Sequence, residues 1–144
     1  MKFGPIHVDH IGIAVNDLEQ GSRFWRLLGL VENLDDELVE DQGVTTRFFS
    51  TSESNEHEHP VQIELLEPTS PDTPIGKFIL KRGIGIQQLC FRVGDLEGLI
   101  SHLLENNIHM IDEVPRKGSG GKMIAFVHPK STGGVLVELT QSTA

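Results

Sequence analysis

The chain carries its opening strand and helix twice. VDHIGIAVNDLEQ, beginning at Val8, aligns without a gap on IQQLCFRVGDLEG, beginning at Ile86. The offset is 78 residues (88 less 10); it pairs His10 with Gln88, Val15 with Val93, and Asp17-Leu18-Glu19 with Asp95-Leu96-Glu97. A unit of this length used only twice is not a solenoid repeat. Two copies of one folding unit paired around a pseudo-twofold axis is the arrangement it points to.

The local chemistry fills in each copy. His7–Val15 alternates and is rich in β-branched residues, as a strand should be. Asn16 is placed to cap the following helix, with Glu19 three residues on at the capping-box position. Leu18, Phe24, Trp25 and Leu28 give that helix an apolar side, and Gly29 suits its end. Strands are expected at Val31–Val39, Val44–Ser50 and Val61–Glu67. Thr73-Pro74 starts a shorter helix that ends near Gly83, with Pro at the tolerated first position. The cycle then repeats: a strand at Ile86–Val93, a helix from Asp95 to about Asn106, and strands at Ile108–Asp112, Met123–His128 and Val135–Thr140. Residues 51–59 and 116–121 read as loops. The expected fold class is α+β, as two tandem βαβββ modules forming a curved-sheet cleft. Module one spans about 6–67, a linking helix about 71–83 and module two about 85–141, together making a single domain.

A chain of 144 residues can bury a core of its own without staples. Its 12 basic against 21 acidic residues leave a net charge of −9, which argues against general nucleic-acid binding. An anionic substrate would have to be met by a local group of Lys and Arg. The lone cysteine, Cys90, lies in the apolar run LCFRV; it cannot form an internal disulfide and reads as a buried, inert thiol. MKFGPIHVDH has no apolar targeting core and no stretch is long enough to span a bilayer, so a cytoplasmic protein without a membrane partner is expected.

Polar residues interrupt the first and last strands of both modules. His10 and Glu64 do so in the first, Gln88 and Glu138 in the second. A buried polar group, and a carboxylate above all, is costly unless it is satisfied. Their matching places suggest convergence in a cleft, where one imidazole, two carboxylates and an amide oxygen make a mixed N/O site. Such a donor set suits Mn, Co, Ni or Zn with positions left open for water or substrate.

These residues also carry a family resemblance, over nearly the whole chain from Val8 to Gln141. The chain resembles the vicinal-oxygen-chelate (glyoxalase/bleomycin resistance/dioxygenase) superfamily, and within it the methylmalonyl-CoA epimerases. DHIGIAVNDLE is shared across the superfamily. IELLEPTSPDTPIGKFILKRGIGIQQLCF and GSGGKMIAFVHPKSTGGVLVELTQ are more specific, the HPKSTGGVLVEL stretch most of all.

The resemblance implies a divalent metal held by His10, Glu64, Gln88 and Glu138. It implies α-proton abstraction from a 2-methylmalonyl-CoA-type thioester, with return to the opposite face through an enolate. Glu138 is the implied base. Two departures stand out. Where the epimerases typically have two adjacent histidines, this chain has Gln87-Gln88, so Gln88 replaces a ligand imidazole. Some epimerases carry a Glu shortly after the turn resembling EDQGV, at the place of Thr46; Glu40 and Asp41 are the remaining candidates for a second acid. Lys122 and Lys130 are candidates for holding the CoA phosphates, and members of the fold are often homodimers.

Other readings compete. A glyoxalase I-like lactoylglutathione lyase would use the same enediolate logic, and a metal-poor binding protein of the same fold would sequester a small anion. An extradiol dioxygenase needs two histidines and a carboxylate, whereas only one of the four positions is histidine. The NEHEHP run, with His57 and His59, reads as a solvated loop. GSGGK at Gly118–Lys122 has the wrong spacing for a phosphate-binding P-loop. His7, His102, His109 and His128 read as structural or surface residues, His128 being notable for its place in the HPKS stretch.

Overall fold

In the computed structural model, residues 2–51 and 59–141 are described. The chain divides into two compact units, Asp9–Gln87 and Met1–Val8 with Gln88–Ala144. The observed elements are α+β in each, as the sequence predicts.

The first unit is built from β1 (His7–Ala14), α1 (Leu18–Leu28), β2 (Val31–Glu32), β3 (Glu37–Val39), β4 (Val44–Ser50), β5 (Gln62–Pro68) and α2 (Pro74–Arg82). β1 runs parallel to β5, β4 pairs antiparallel with β5, and both β2 and β3 pair antiparallel with β4. Strand β5 is covered on both faces, which explains its run of apolar residues. Ile63 and Leu65 pack with Val15, Leu18 and Phe49, beside Trp25 of α1. Leu66, on the opposite face, packs with Ala14, Val39, Val44 and Ile75, beside Phe78 of α2. Glu64 shares that second face by strand alternation.

The second unit contains β6 (Gly85–Val93), α3 (Leu96–Glu105), β7 (Arg116–Lys117), β8 (Met123–Val127) and β9 (Leu136–Gln141). β6 runs parallel to β9, β9 pairs antiparallel with β8, and β8 with β7. Val93, Leu96, Leu99, Ile100, Ala125 and Leu139 form its core. The start of the chain joins this unit closely: Gly94 and Asp95 donate their N–H groups to Phe3 O at 2.9 and 3.0 Å. Gly4 there has φ +79°, and a Cβ on it would lie 2.9 Å from Gly94 Cα, so both the conformation and the space call for glycine.

The repeat extends to how the helices start. Asp17 caps α1 by accepting from Gln20 N, and Asp95 caps α3 by accepting from Gly98 N. Leu18 N then donates to Glu67 Oε1 at 2.9 Å, and Leu96 N to Gln141 Oε1 at 2.7 Å. In both units a side chain from the last strand therefore satisfies an otherwise orphaned helix N–H.

Several expectations need correction. The α1 cap is Asp17 rather than Asn16, because Asp17 has the extended backbone (φ −152°, ψ 130°) from which a side chain reaches back. The buried side of α1 is Leu18 and Ser22 with Trp25 partly covered; Phe24 and Leu28 are exposed. The segment 31–39 is two short strands, parted where Asn33 Oδ1 accepts from Asp35 N and turns the chain. Residues 108–112 make one isolated bridge, Met110 to Val127, because the Asp112 carboxylate accepts from Phe126 N and replaces the ladder. Arg116–Lys117 is a short strand and Ser119–Gly121 a tight turn, where a loop is expected.

Candidate active site

In the first unit, the parallel register sets Gly12 of β1 opposite Glu64 of β5. His10 lies two residues before Gly12 and so shares its face. His10 Nε2 is 3.1 Å from Glu64 Oε1, and His10 Nδ1 is 2.7 Å from Asp9 Oδ2. Phe48, the antiparallel partner of Glu64, presents an edge-on ring to His10 at 5.7 Å between centroids. His10 is 6% exposed, Glu64 2% and Asp9 9%. Water reaches none of the three freely.

The second unit repeats this geometry. Cys90 of β6 stands opposite Glu138 of β9, and Gln88 lies two residues before Cys90 on the same face. Gln88 Nε2 donates to Glu138 Oε1 at 2.8 Å. Phe126 is the antiparallel partner of Glu138, 78 residues (126 less 48) after Phe48. Gln88 and Glu138 are each 4% exposed. Cys90 is fully buried, as expected, and lies on the same face as Gln88.

Each pair has the chemistry of a half-site. A neutral imidazole bears a single N–H, and Asp9 claims it at Nδ1. Nε2 and Glu64 Oε1 then face one another as two acceptors, an arrangement that needs a cation between them, whether a proton or a metal ion. Buried carboxylates demand the same compensation. Taken by itself, each pair offers donors that divalent ions of the Mn, Co, Ni and Zn group accept: an imidazole nitrogen and a carboxylate in the first, an amide oxygen and a carboxylate in the second.

Residues 9–126 match the glyoxalase/bleomycin resistance protein/dioxygenase superfamily. The chain belongs to that superfamily. Within it, the chain is 32% identical over 141 residues to the mitochondrial methylmalonyl-CoA epimerase of Dictyostelium discoideum, covering 97% of this chain and 81% of that protein. It is 38% identical over 135 residues to an uncharacterised Bacillus subtilis protein, covering 93% and 91%. A solved methylmalonyl-CoA epimerase in complex with methylmalonyl-CoA and ammonium superposes with a TM-score of 0.86 at 33% identity, over 95% of this chain and 94% of that one. The fold is glyoxalase-like, and the protein is an isomerase of the epimerase type.

Against the superfamily pattern, the remaining candidates are unevenly placed. Thr46 is 1% exposed on β4 and carries no acid. Glu40 and Asp41 are exposed in the tight turn at Glu40–Gln42. Lys122 and Lys130 are both exposed but flank opposite ends of β8. His128 is structural: its Nδ1 accepts from Lys130 N at 2.9 Å, and its ring stacks on His109 at 4.5 Å. His57 lies outside the described residues, and His59 is exposed.

Sequence reasoning missed three contributors. Asp9 is adjacent to His10 in a strand, where neighbouring side chains ordinarily diverge. Phe48 and Phe126 read as ordinary core residues until the strand pairing sets them against the glutamates. Extending the repeat alignment beyond the first strand and helix would have paired them.

Proposed function

We propose that His10, Glu64, Gln88 and Glu138 together form one divalent-metal centre at which a 2-methylmalonyl-CoA-type thioester is epimerised. The carrying observation is the acceptor-to-acceptor contact of His10 Nε2 and Glu64 Oε1 beside a carboxylate that holds Nδ1. The epimerase relatives, and the solved epimerase holding methylmalonyl-CoA, support the substrate class.

When bound, the ion supplies Lewis-acid stabilisation of the negative charge that grows on the thioester oxygen as the α-proton leaves. Glu138 takes that proton on a carboxylate oxygen. Gln88 holds Glu138 by its Nε2–H, so the base is oriented before substrate arrives. An acid on the opposite face returns a proton to the α-carbon; with Thr46 in place of a carboxylate, Glu40 and Asp41 remain the candidates. Lys122 and Lys130 help hold the CoA phosphates. The working assembly is a homodimer. A reducing, cytoplasmic setting fits the single buried thiol. Among the described residues, no helix is long and apolar enough to cross a membrane.

The test is washout of the α-proton of methylmalonyl-CoA into deuterated water by cobalt- or manganese-loaded protein. Exchange well above the metal-only background is expected. No exchange above that background overturns the proposal.

A further inference from the structure

Asp9 lies immediately before His10 on β1, yet its Oδ2 is 2.7 Å from His10 Nδ1. Consecutive strand residues send their side chains to opposite faces, so they can touch only through atoms close to the backbone. Oδ2 and Nδ1 are such atoms, each bonded directly to its Cγ. A carboxylate only accepts hydrogen bonds, so this contact calls the imidazole proton to Nδ1 and leaves the lone pair on Nε2. Nε2 is the nitrogen that faces Glu64.

The repeat provides a comparison within the same molecule. At the offset of 78 residues (87 less 9), the counterpart of Asp9 is Gln87. Gln87 precedes an amide, which has no tautomer to set, and among the described residues its buried Oε1 has no hydrogen-bond partner. The carboxylate is present only where an imidazole follows it.

We infer that Asp9 is a positioning residue: it fixes His10 as the Nδ1–H tautomer and aims the Nε2 lone pair at the metal. The inference rests on the metal-centre reading above. Partners of this kind orient the ring and raise its donor strength, and removing one costs about 10- to 100-fold in metal affinity.

Two readouts test it. In metal-free protein, nitrogen-15 NMR of the His10 ring should show a proton on Nδ1, whether or not a second one bridges Nε2 and Glu64. A neutral Nε2–H tautomer overturns the inference, whatever any variant does. Cobalt titration should then show weaker binding by about 10- to 100-fold in Asp9→Ala, with a smaller loss in Asp9→Asn, which keeps an acceptor oxygen. In metal-free Asp9→Ala the same spectrum should no longer hold the ring proton on Nδ1. A ring still protonated on Nδ1 as in wild type shows that Asp9 does not set the tautomer and overturns the positioning role. Unchanged affinity in Asp9→Ala overturns it too, and leaves the metal centre standing. Wild-type protein that binds no cobalt overturns the metal centre, and the positioning role with it.

Discussion

Gln88 and Glu138 are joined by a 2.8 Å hydrogen bond from strand positions that repeat those of His10 and Glu64, which approach to 3.1 Å. The backbone relationship is conserved between the two units while the donor chemistry is not. An imidazole in one copy is answered by an amide in the other. In the proposed centre, that difference would set how tightly a metal is held and where Glu138 points.

Restoring the imidazole is therefore informative. Gln88→His should tighten cobalt binding on the order of tenfold, because a nitrogen donor suits late transition metals better than an amide oxygen. It also removes the Nε2–H that holds Glu138. Competition titration against a chelator measures the first effect; affinity equal to wild type would show that residue 88 is not a ligand.

Glu138→Gln should lower α-proton exchange by roughly a hundredfold to ten-thousandfold with the fold intact. The far-ultraviolet dichroism and unfolding midpoint should stay near wild type, since the amide is isosteric. Retained exchange would place the base elsewhere.

A charged cluster on the first unit predicts an acid-sensitive fold. Arg26 hydrogen-bonds Glu19 at 2.5 Å and Glu32 at 2.7 Å, while Arg47 reaches Glu19 at 3.0 Å and Asp36 at 2.8 Å. The guanidinium of Arg26, aided by that of Arg47, holds the Glu19 carboxyl down to about 2 from 4.5. Glu32 and Asp36 are lowered for the same reason, chiefly by Arg26 and Arg47 respectively. A depressed carboxylate stabilises the fold fully above its unfolded value, and that contribution fades as pH falls through its folded value. Glu19 thus contributes at neutral pH, and its share is lost between about 4.5 and about 2. Arg47→Met should cost on the order of 1 kcal/mol at neutral pH and flatten the acid limb. Urea unfolding across that pH window measures both; an unchanged acid limb would contradict the role given to Arg47.

The cap position is equally open to test. Asp17→Ala should lose about 1 kcal/mol of stability, and Asn16→Ala should lose far less. Equal losses in chemical unfolding would contradict the cap geometry.

The repeat made much of this protein legible in its sequence. It located the two opening strands and helices, while strand alternation and helix punctuation, which are local signals, located the Val44–Ser50 strand, the helix start at Thr73-Pro74 and the four buried polar residues. What stayed hidden depends on pairing between distant segments or on a choice between equals. Asn16 and Asp17 are both good cap residues, and only the backbone angles separate them. Arg47 meets Glu19 because β4 lies beneath α1, which no local pattern reveals. Asp112 ends a would-be strand by spending its own carboxylate on Phe126 N. Phe48 and Phe126 gain a place beside the glutamates only through the antiparallel register.

The most direct test of the central claim is the stoichiometry of cobalt binding at equilibrium, because two half-sites that form one centre must share one ion. A single cobalt per chain is expected, lost in both His10→Ala and Glu138→Ala, although these residues come from different repeats. Two ions per chain, or none, or one ion that survives Glu138→Ala, would contradict it.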